Sequence, residues 1–170
     1  MQPEQQASAR DLTLLRQAIA LSAESRISGR HPFAALVADE NGKVIAAAGN
    51  NSMPPLGDPT QHAELAAAAL AARALPHEQL SKCTLYTSAE PCCMCAGAIY
   101  WCNIGRVVYG LSEHKLLELT GAHPENPTLS LPCRHIFATG QRPVEVVGPL
   151  LEDEAAVPHR GFWQSNCGSS

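Results

Sequence analysis

Apolar positions recur along this chain with two different periods. Leu12, Leu15, Ile19 and Ala23 lie at helical spacing, and Ser8-Ala9-Arg10-Asp11 before them reads as a capping box with Asp in the place of Glu or Gln. A first helix is predicted to about residue 28, where Gly29 ends it. Residues 33–38 form an unbroken apolar run between Pro32 and Asp39, the pattern of a strand buried on both faces. Asn41-Gly42 is a hairpin turn signal and residues 44–48 are the returning strand. Residues 50–60 are a loop rich in Pro, Gly and Asn. An alanine-dense helix follows over 61–74, with Pro76 closing it. Residues 83–87 read as a strand, and Pro91 stands at the first position of a third helix that runs to about residue 101. Strands at 106–109 and 144–147, a helix at 113–119, a proline-containing loop at 123–132 and a closing helix from 152 complete the pattern. The order α-β-β-α-β-α-β-α-β-α implies an α/β sandwich with a mixed sheet. No repeat or linker divides it, so one domain is expected over residues 1–170.

Composition narrows the classes. Lys and Arg number 12 against 16 Asp and Glu, a formal charge of −4, with 45% hydrophobic and 16% charged residues. Disorder needs less hydrophobicity and more net charge. A chain of 170 residues suits one domain that buries roughly 70% of its unfolded surface. The acidic balance opposes a nucleic-acid or anionic-membrane partner, since both call for a basic surface. Seven cysteines are an odd count and a poor disulfide framework. The first residues, Met-Gln-Pro-Glu-Gln-Gln, lack a basic stretch followed by an apolar one, and no run of 18 apolar residues offers a membrane span. The expectation is a cytoplasmic, reducing setting, where clustered cysteines more often mean metal than disulfide.

Four of the seven cysteines fall between Cys83 and Cys95, and two motifs stand out around them. His62-Ala63-Glu64 opens the second helix, and Pro91-Cys92-Cys93-Met94-Cys95 opens the third. In a β-α-β-α arrangement both helices start at the same edge of the sheet. Cys92 and Cys95, at i and i+3, share one face of the first turn, where the helix N-terminus favours thiolates. Two sulfurs and one imidazole nitrogen suit zinc, and three protein ligands leave the fourth position open, as in catalytic sites. Bound zinc lowers the pKa of water towards ~7. Glu64, two residues from a ligand, is placed to take the water proton and return it to substrate. A redox pair or a structural zinc site is the competing reading. The latter needs a fourth ligand, for which Cys83 or Cys93 is the candidate.

The joint H-x-E and P-C-x-x-C signature is that of zinc-dependent nucleobase deaminases. The segments 62–64 and 85–101 resemble the cytidine/deoxycytidylate deaminase superfamily, nearest to its bacterial guanine deaminase and related purine and nucleoside deaminase branch. Pro32-Phe33-Ala34-Ala35, Asn50-Asn51 and Asp58-Pro59-Thr60 resemble further segments of that branch. The resemblance covers about residues 12–109. Ala34 departs from its usual glycine and Cys93 from its usual proline, neither within the ligand set.

The resemblance implies a three-layer α-β-α sandwich around a five-stranded mixed sheet, one Zn2+ per chain, a homodimer, and deamination of a free base or nucleoside, foremost guanine or a related aminopurine. It assigns His62, Cys92 and Cys95 to the metal and Glu64 to proton transfer, with Glu125 as a second acid by position. On the substrate side it points to Phe33, Asn50, Ala63, Trp101 and Trp163. Each has a plainer alternative. Asn50 binds the base ring or shapes a turn. Phe33 stacks on the base or packs in the core. Trp101 lines the pocket, packs in the core or meets a second copy. Phe162-Trp163 closes the pocket as a lid or anchors the C-terminal segment. His31, His77, His114, His123, His135 and His159 show no metal spacing and read as surface or core residues, as Cys102, Cys133 and Cys167 read as ordinary ones. Three other functions compete: tRNA adenosine deamination, opposed by the acidic Glu152-Asp153-Glu154; cytosine or cytidine deamination; and a non-catalytic zinc-stabilised module.

Overall fold

The computed structural model describes residues 7–164, so Cys167 lies outside the described residues. The first helix, α1 (Ala9–Ile27), starts as its capping box predicts. Ser8 Oγ accepts from the Asp11 N–H, and Asp11 Oδ2 accepts from the Ser8 N–H. Strands β1 (Ala34–Ala38) and β2 (Val44–Gly49) form the hairpin, and Gly42 takes the positive φ of 85° that its turn requires. Helix α2 (Ala63–Ala74) leads through a short α3 (His77–Leu80) to β3 (Thr84–Ala89). Then come α4 (Cys93–Trp101), β4 (Arg106–Leu111), α5 (Glu113–Thr120), α6 (Cys133–Ala138), β5 (Glu145–Val147) and α7 (Glu152–Ala156), which runs into a 3-10 turn at Val157–His159.

The five strands form one mixed sheet in the order β2-β1-β3-β4-β5. β1 is antiparallel to both β2 and β3, while β3, β4 and β5 are parallel. Successive strand residues point to opposite faces. Ala35, Val37, Leu85 and Val107 therefore pack with α2, α4 and α6, whereas Leu36, Ala38, Tyr86 and Val108 pack with α1 and α7. Two apolar cores flank the sheet and make the expected three-layer sandwich. Among the described residues no helix is long and apolar enough to cross a membrane, and the six described cysteines are all free.

Three local readings shift. Pro91 does not open α4, because Cys92 is still extended (φ −67°, ψ 174°) and is the N-cap, which leaves Pro91 one residue outside the helix. His62 likewise is the extended N-cap of α2, so that helix starts two residues later than its alanine pattern suggests. Helices α3 and α6 add to the predicted order. With four and six residues, both are too short to show a helical period.

Candidate active site

Because β2 and β3 are both antiparallel to β1, they run in the same direction. The helices that follow them, α2 and α4, therefore begin at the same end of the sheet. Their N-caps are His62 and Cys92, and neither side chain is spent on capping its own helix. His62 Nδ1 stands 3.6 Å from Cys92 Sγ. With Cys95 Sγ, these atoms all lie within 4.8 Å of one another, and this is the one such cluster among the described residues. Neither Cys83 nor Cys93 joins it. The donor set is one nitrogen and two sulfurs with no fourth protein ligand, which fits a zinc ion with an open position.

The electrostatics agree with metal binding. The neighbouring Cys95 thiol and the His62 imidazole bring the Cys92 thiol down to about 4 against the cost of its burial, while Cys95, bonded to Cys92 and buried, is pushed up. A divalent cation binds both sulfurs as thiolates and would displace the thiol proton that this pairing favours on Cys95. His62 is raised, first by its bond to Cys92.

Glu64 lies one helical step beyond Ala63, buried at 5% exposure. Its Oε2 accepts from Cys95 Sγ at 3.6 Å and its Oε1 is 3.3 Å from Thr87 Oγ1, which also donates to Ala89 O at 2.7 Å. Burial first, and then the Cys92 charge, lift its carboxyl to about 7, where it can both take and give a proton at neutral pH.

His62, Glu64 and Cys92 line a cavity of about 480 Å³, a size that accepts a small heterocycle. Phe33 and Asn50 line it, as expected. Asn50 shapes the turn: its Oδ1 accepts from the Ser52 N–H at 2.9 Å and the Ser52 hydroxyl at 2.8 Å. Phe33 also reaches both cores and meets His159 edge-on at 5.0 Å. Glu125 reaches the wall from the 122–132 loop, where its Oε2 accepts from His31 Nε2 at 2.9 Å.

Three expected substrate contacts are not among the cavity residues. Ala63 is fully buried, with its methyl in the core between α2 and the sheet. Trp101 ends α4, nine residues and roughly 13 Å of helical rise from Cys92, and is 81% exposed. Trp163 is buried behind the cavity, packed on His31, His123 and His159 rather than over the opening. It anchors the C-terminal segment instead of closing the pocket as a lid. Conversely, the cavity takes in His31, expected as a surface or core residue, and Glu90 and Glu113, for which no role was expected. His31 and Glu125 are 94 residues apart, and no spacing links them. Glu90 is the exception, since its place two residues before Cys92 was a usable signal.

The family model of the cytidine and deoxycytidylate deaminase zinc-binding region matches residues 8–111. The chain belongs to that deaminase family. It is accordingly a zinc-dependent hydrolase of cyclic amidines, and His62, Cys92 and Cys95 are the described residues able to hold the zinc. Among its relatives is a Schizosaccharomyces pombe protein named "Probable cytosine deaminase", 49% identical over 156 residues, which cover 92% of this chain and 94% of the relative. A guanine deaminase from Nitrosomonas europaea superposes with a TM-score of 0.72 at 29% identity, covering 93% of this chain and 86% of its own. A mutant protein in complex with 8-azaguanine superposes at 0.75 with 28% identity, covering 92% and 86%.

Proposed function

We propose that this chain deaminates a free aminopurine base, guanine foremost, with release of ammonia. The observation that carries the reading is Glu125, whose carboxylate stands in the cavity wall braced by His31 at 2.9 Å. A fixed acceptor facing the cavity suits a base rich in ring and exocyclic N–H groups, and guanine carries more of these than cytosine does. The likeness to a guanine deaminase and to a protein holding 8-azaguanine supports the same choice.

The chemistry then follows from the side chains. Zinc held by His62, Cys92 and Cys95 supplies a Lewis acid that lowers the pKa of water towards ~7. Glu64 takes the first proton of the attacking water at a carboxylate oxygen and passes it to the ring nitrogen beside the reacting carbon; it then takes the second proton from the hydroxyl now on that carbon and gives it to the departing amine, which leaves as ammonia. Asn50 donates from Nδ2 to an acceptor on the base, and Phe33 covers one side of the ring. The buried floor keeps bulk water from the proton that Glu64 carries.

A cytosine substrate is the second reading, favoured by the 49% identity to the S. pombe protein over nearly all of both chains. The formal charge of −4 weighs against a tRNA substrate. Ammonia release measured across guanine, guanosine, adenine, cytosine, cytidine and amino-triazines decides between them. The proposal expects guanine to exceed cytosine by about tenfold or more in kcat/KM, a gap of ~1.4 kcal/mol in transition-state binding. Turnover of cytosine without turnover of guanine would overturn it. A homodimer and a cytoplasmic setting belong to the same proposal. The exposed Trp101 on α4 supports the first and the six free cysteines support the second. Light scattering of the purified chain tests the dimer.

A further inference from the structure

Glu125 sits on a loop without regular structure, yet two contacts fix it. Its carboxylate accepts from His31 Nε2 at 2.9 Å, and its backbone N–H donates to His123 Nδ1 at 3.2 Å. Both histidines are buried, at 4% and 5% exposure. Both rest their rings on the same indole, that of Trp163, at centroid distances of 5.1 Å and 5.3 Å. The indole is itself held, because its Nε1–H donates to His159 Nδ1 at 3.2 Å and its ring stacks on His159 at 18°. His123 Nε2 is buried with no hydrogen-bond partner among the described residues, and its ring is held by packing on the indole and by the Glu125 N–H. Trp163 is 3% exposed and does not line the cavity, so any effect it has on the substrate passes through its neighbours.

We propose that Trp163 is a positioning residue: by packing between His31 and His123 it sets where the Glu125 carboxylate stands in the cavity, and so governs affinity for the purine base. The inference rests on the reading of Glu125 as a substrate contact. The C-terminal segment then acts on specificity from behind the pocket wall.

A double-mutant cycle on the zinc-loaded enzyme tests this with Trp163→Leu, Glu125→Gln and the pair. Zinc content and thermal midpoint are measured for each. Guanine kcat/KM should fall by roughly tenfold or more in each single variant, with the loss mainly in KM because Glu64 and the zinc ligands are untouched. In the Glu125→Gln background, Trp163→Leu should change kcat/KM by less than about threefold, since the contact it serves is already gone. A purely structural role would instead multiply the two losses, and that outcome overturns the inference while leaving Glu125 as a substrate contact. A silent Glu125→Gln overturns both. Should Trp163→Leu fail to fold, Trp163→Phe, which keeps a ring but loses the bond to His159, replaces it in the same cycle with the same expected outcomes, and His31→Leu is measured beside it. His31→Gln, which keeps an N–H donor, should then recover activity to within about threefold of wild type, and failure to recover it counts against the inference.

Discussion

Asp11 offers the sharpest test of how the sheet is tied to its covering helix. It is 4% exposed and accepts from five donors: Arg106 Nη1 at 2.7 Å, Arg106 Nη2 at 3.2 Å, and the Tyr86 hydroxyl, the Ser8 hydroxyl and the Ser8 N–H at 2.8 Å each. One carboxylate thus caps α1 and joins it to β3 and β4. Replacing it by Ala leaves Arg106, whose side chain is only 20% exposed, with Glu145 at 3.1 Å as its remaining partner. Removing one member of a buried pair costs about 3–5 kcal/mol, and loss of a helix cap adds ~1 kcal/mol. The surviving Glu145 contact and the partial exposure of Arg106 lower the sum, so Asp11→Ala should destabilise by about 2–4 kcal/mol at pH 7. Burial by itself would raise the Asp11 pKa. The Arg106 guanidinium, with the Ser8 and Tyr86 donors, outweighs it and holds the carboxyl well below the usual carboxylate range. The unfolded chain therefore binds its proton first as pH falls. The contribution of Asp11 is complete above the unfolded value of ~3.9 and declines below it. Urea unfolding of wild type and variant should differ fully at pH 7 and less at pH 3. Asp11 faces the α1 side of the sheet, so metal loss in acid affects both proteins alike and cancels in the difference. A destabilisation below ~1 kcal/mol at pH 7, or a difference that stays constant down to pH 3, would refute the reasoning.

Three further outcomes follow from the site and its helices. Glu64→Gln should lower kcat by about 10²–10⁴-fold while zinc content stays unchanged; turnover near the wild-type level in the zinc-loaded variant would remove Glu64 from proton transfer. Dialysis against a chelator should abolish ammonia release and lower the thermal midpoint, because the metal links α2 to α4, and added zinc should restore both; activity that survives in protein shown by metal analysis to be zinc-free would rule out the metal's role. A Cβ added at Gly97 in α4 meets no atom within 4 Å, so Gly97→Ala should raise stability by about 0.5–1 kcal/mol in urea unfolding. A loss of stability there would mean that this face of α4 packs against a second copy.

What the sequence made legible was what depends on near neighbours. Strands β1 and β4 carry apolar runs in a sheet covered on both faces, and α1 announces itself by a capping box that forms as written. The metal cluster was equally local: the i,i+3 cysteines and the H-x-E step each sit on one helix start, and the strand order supplied their meeting. Helix α6 was invisible because six residues, with Cys133, Ile136 and Phe137 as anchors, are too few to show a period, and its first N–H is received by Glu90, 43 residues earlier. The misplacement of Trp101 has a similar origin. Adjacency to the motif in sequence carried it to the far end of a nine-residue helix, away from the metal.

Glu90 shows how the local motif and the distant loop are joined. It stands two residues before Cys92, at the end of the strand that delivers the metal cysteines. One of its carboxylate oxygens accepts from the Glu113 N–H at 3.0 Å and the other from the Cys133 N–H at 3.0 Å. Those donors are the first residues of α5 and α6, whose N-termini favour a negative charge. The loop that carries Glu125 follows α5 and precedes α6. A single buried carboxylate thus ties both flanking helices to the strand that carries the chemistry. The zinc motif fixes the reaction through short spacings that any reader of the sequence can find. On the proposed reading, the choice of base rests on the loop that carries Glu125, which is held by His31 directly and by Glu90 through the helices on either side.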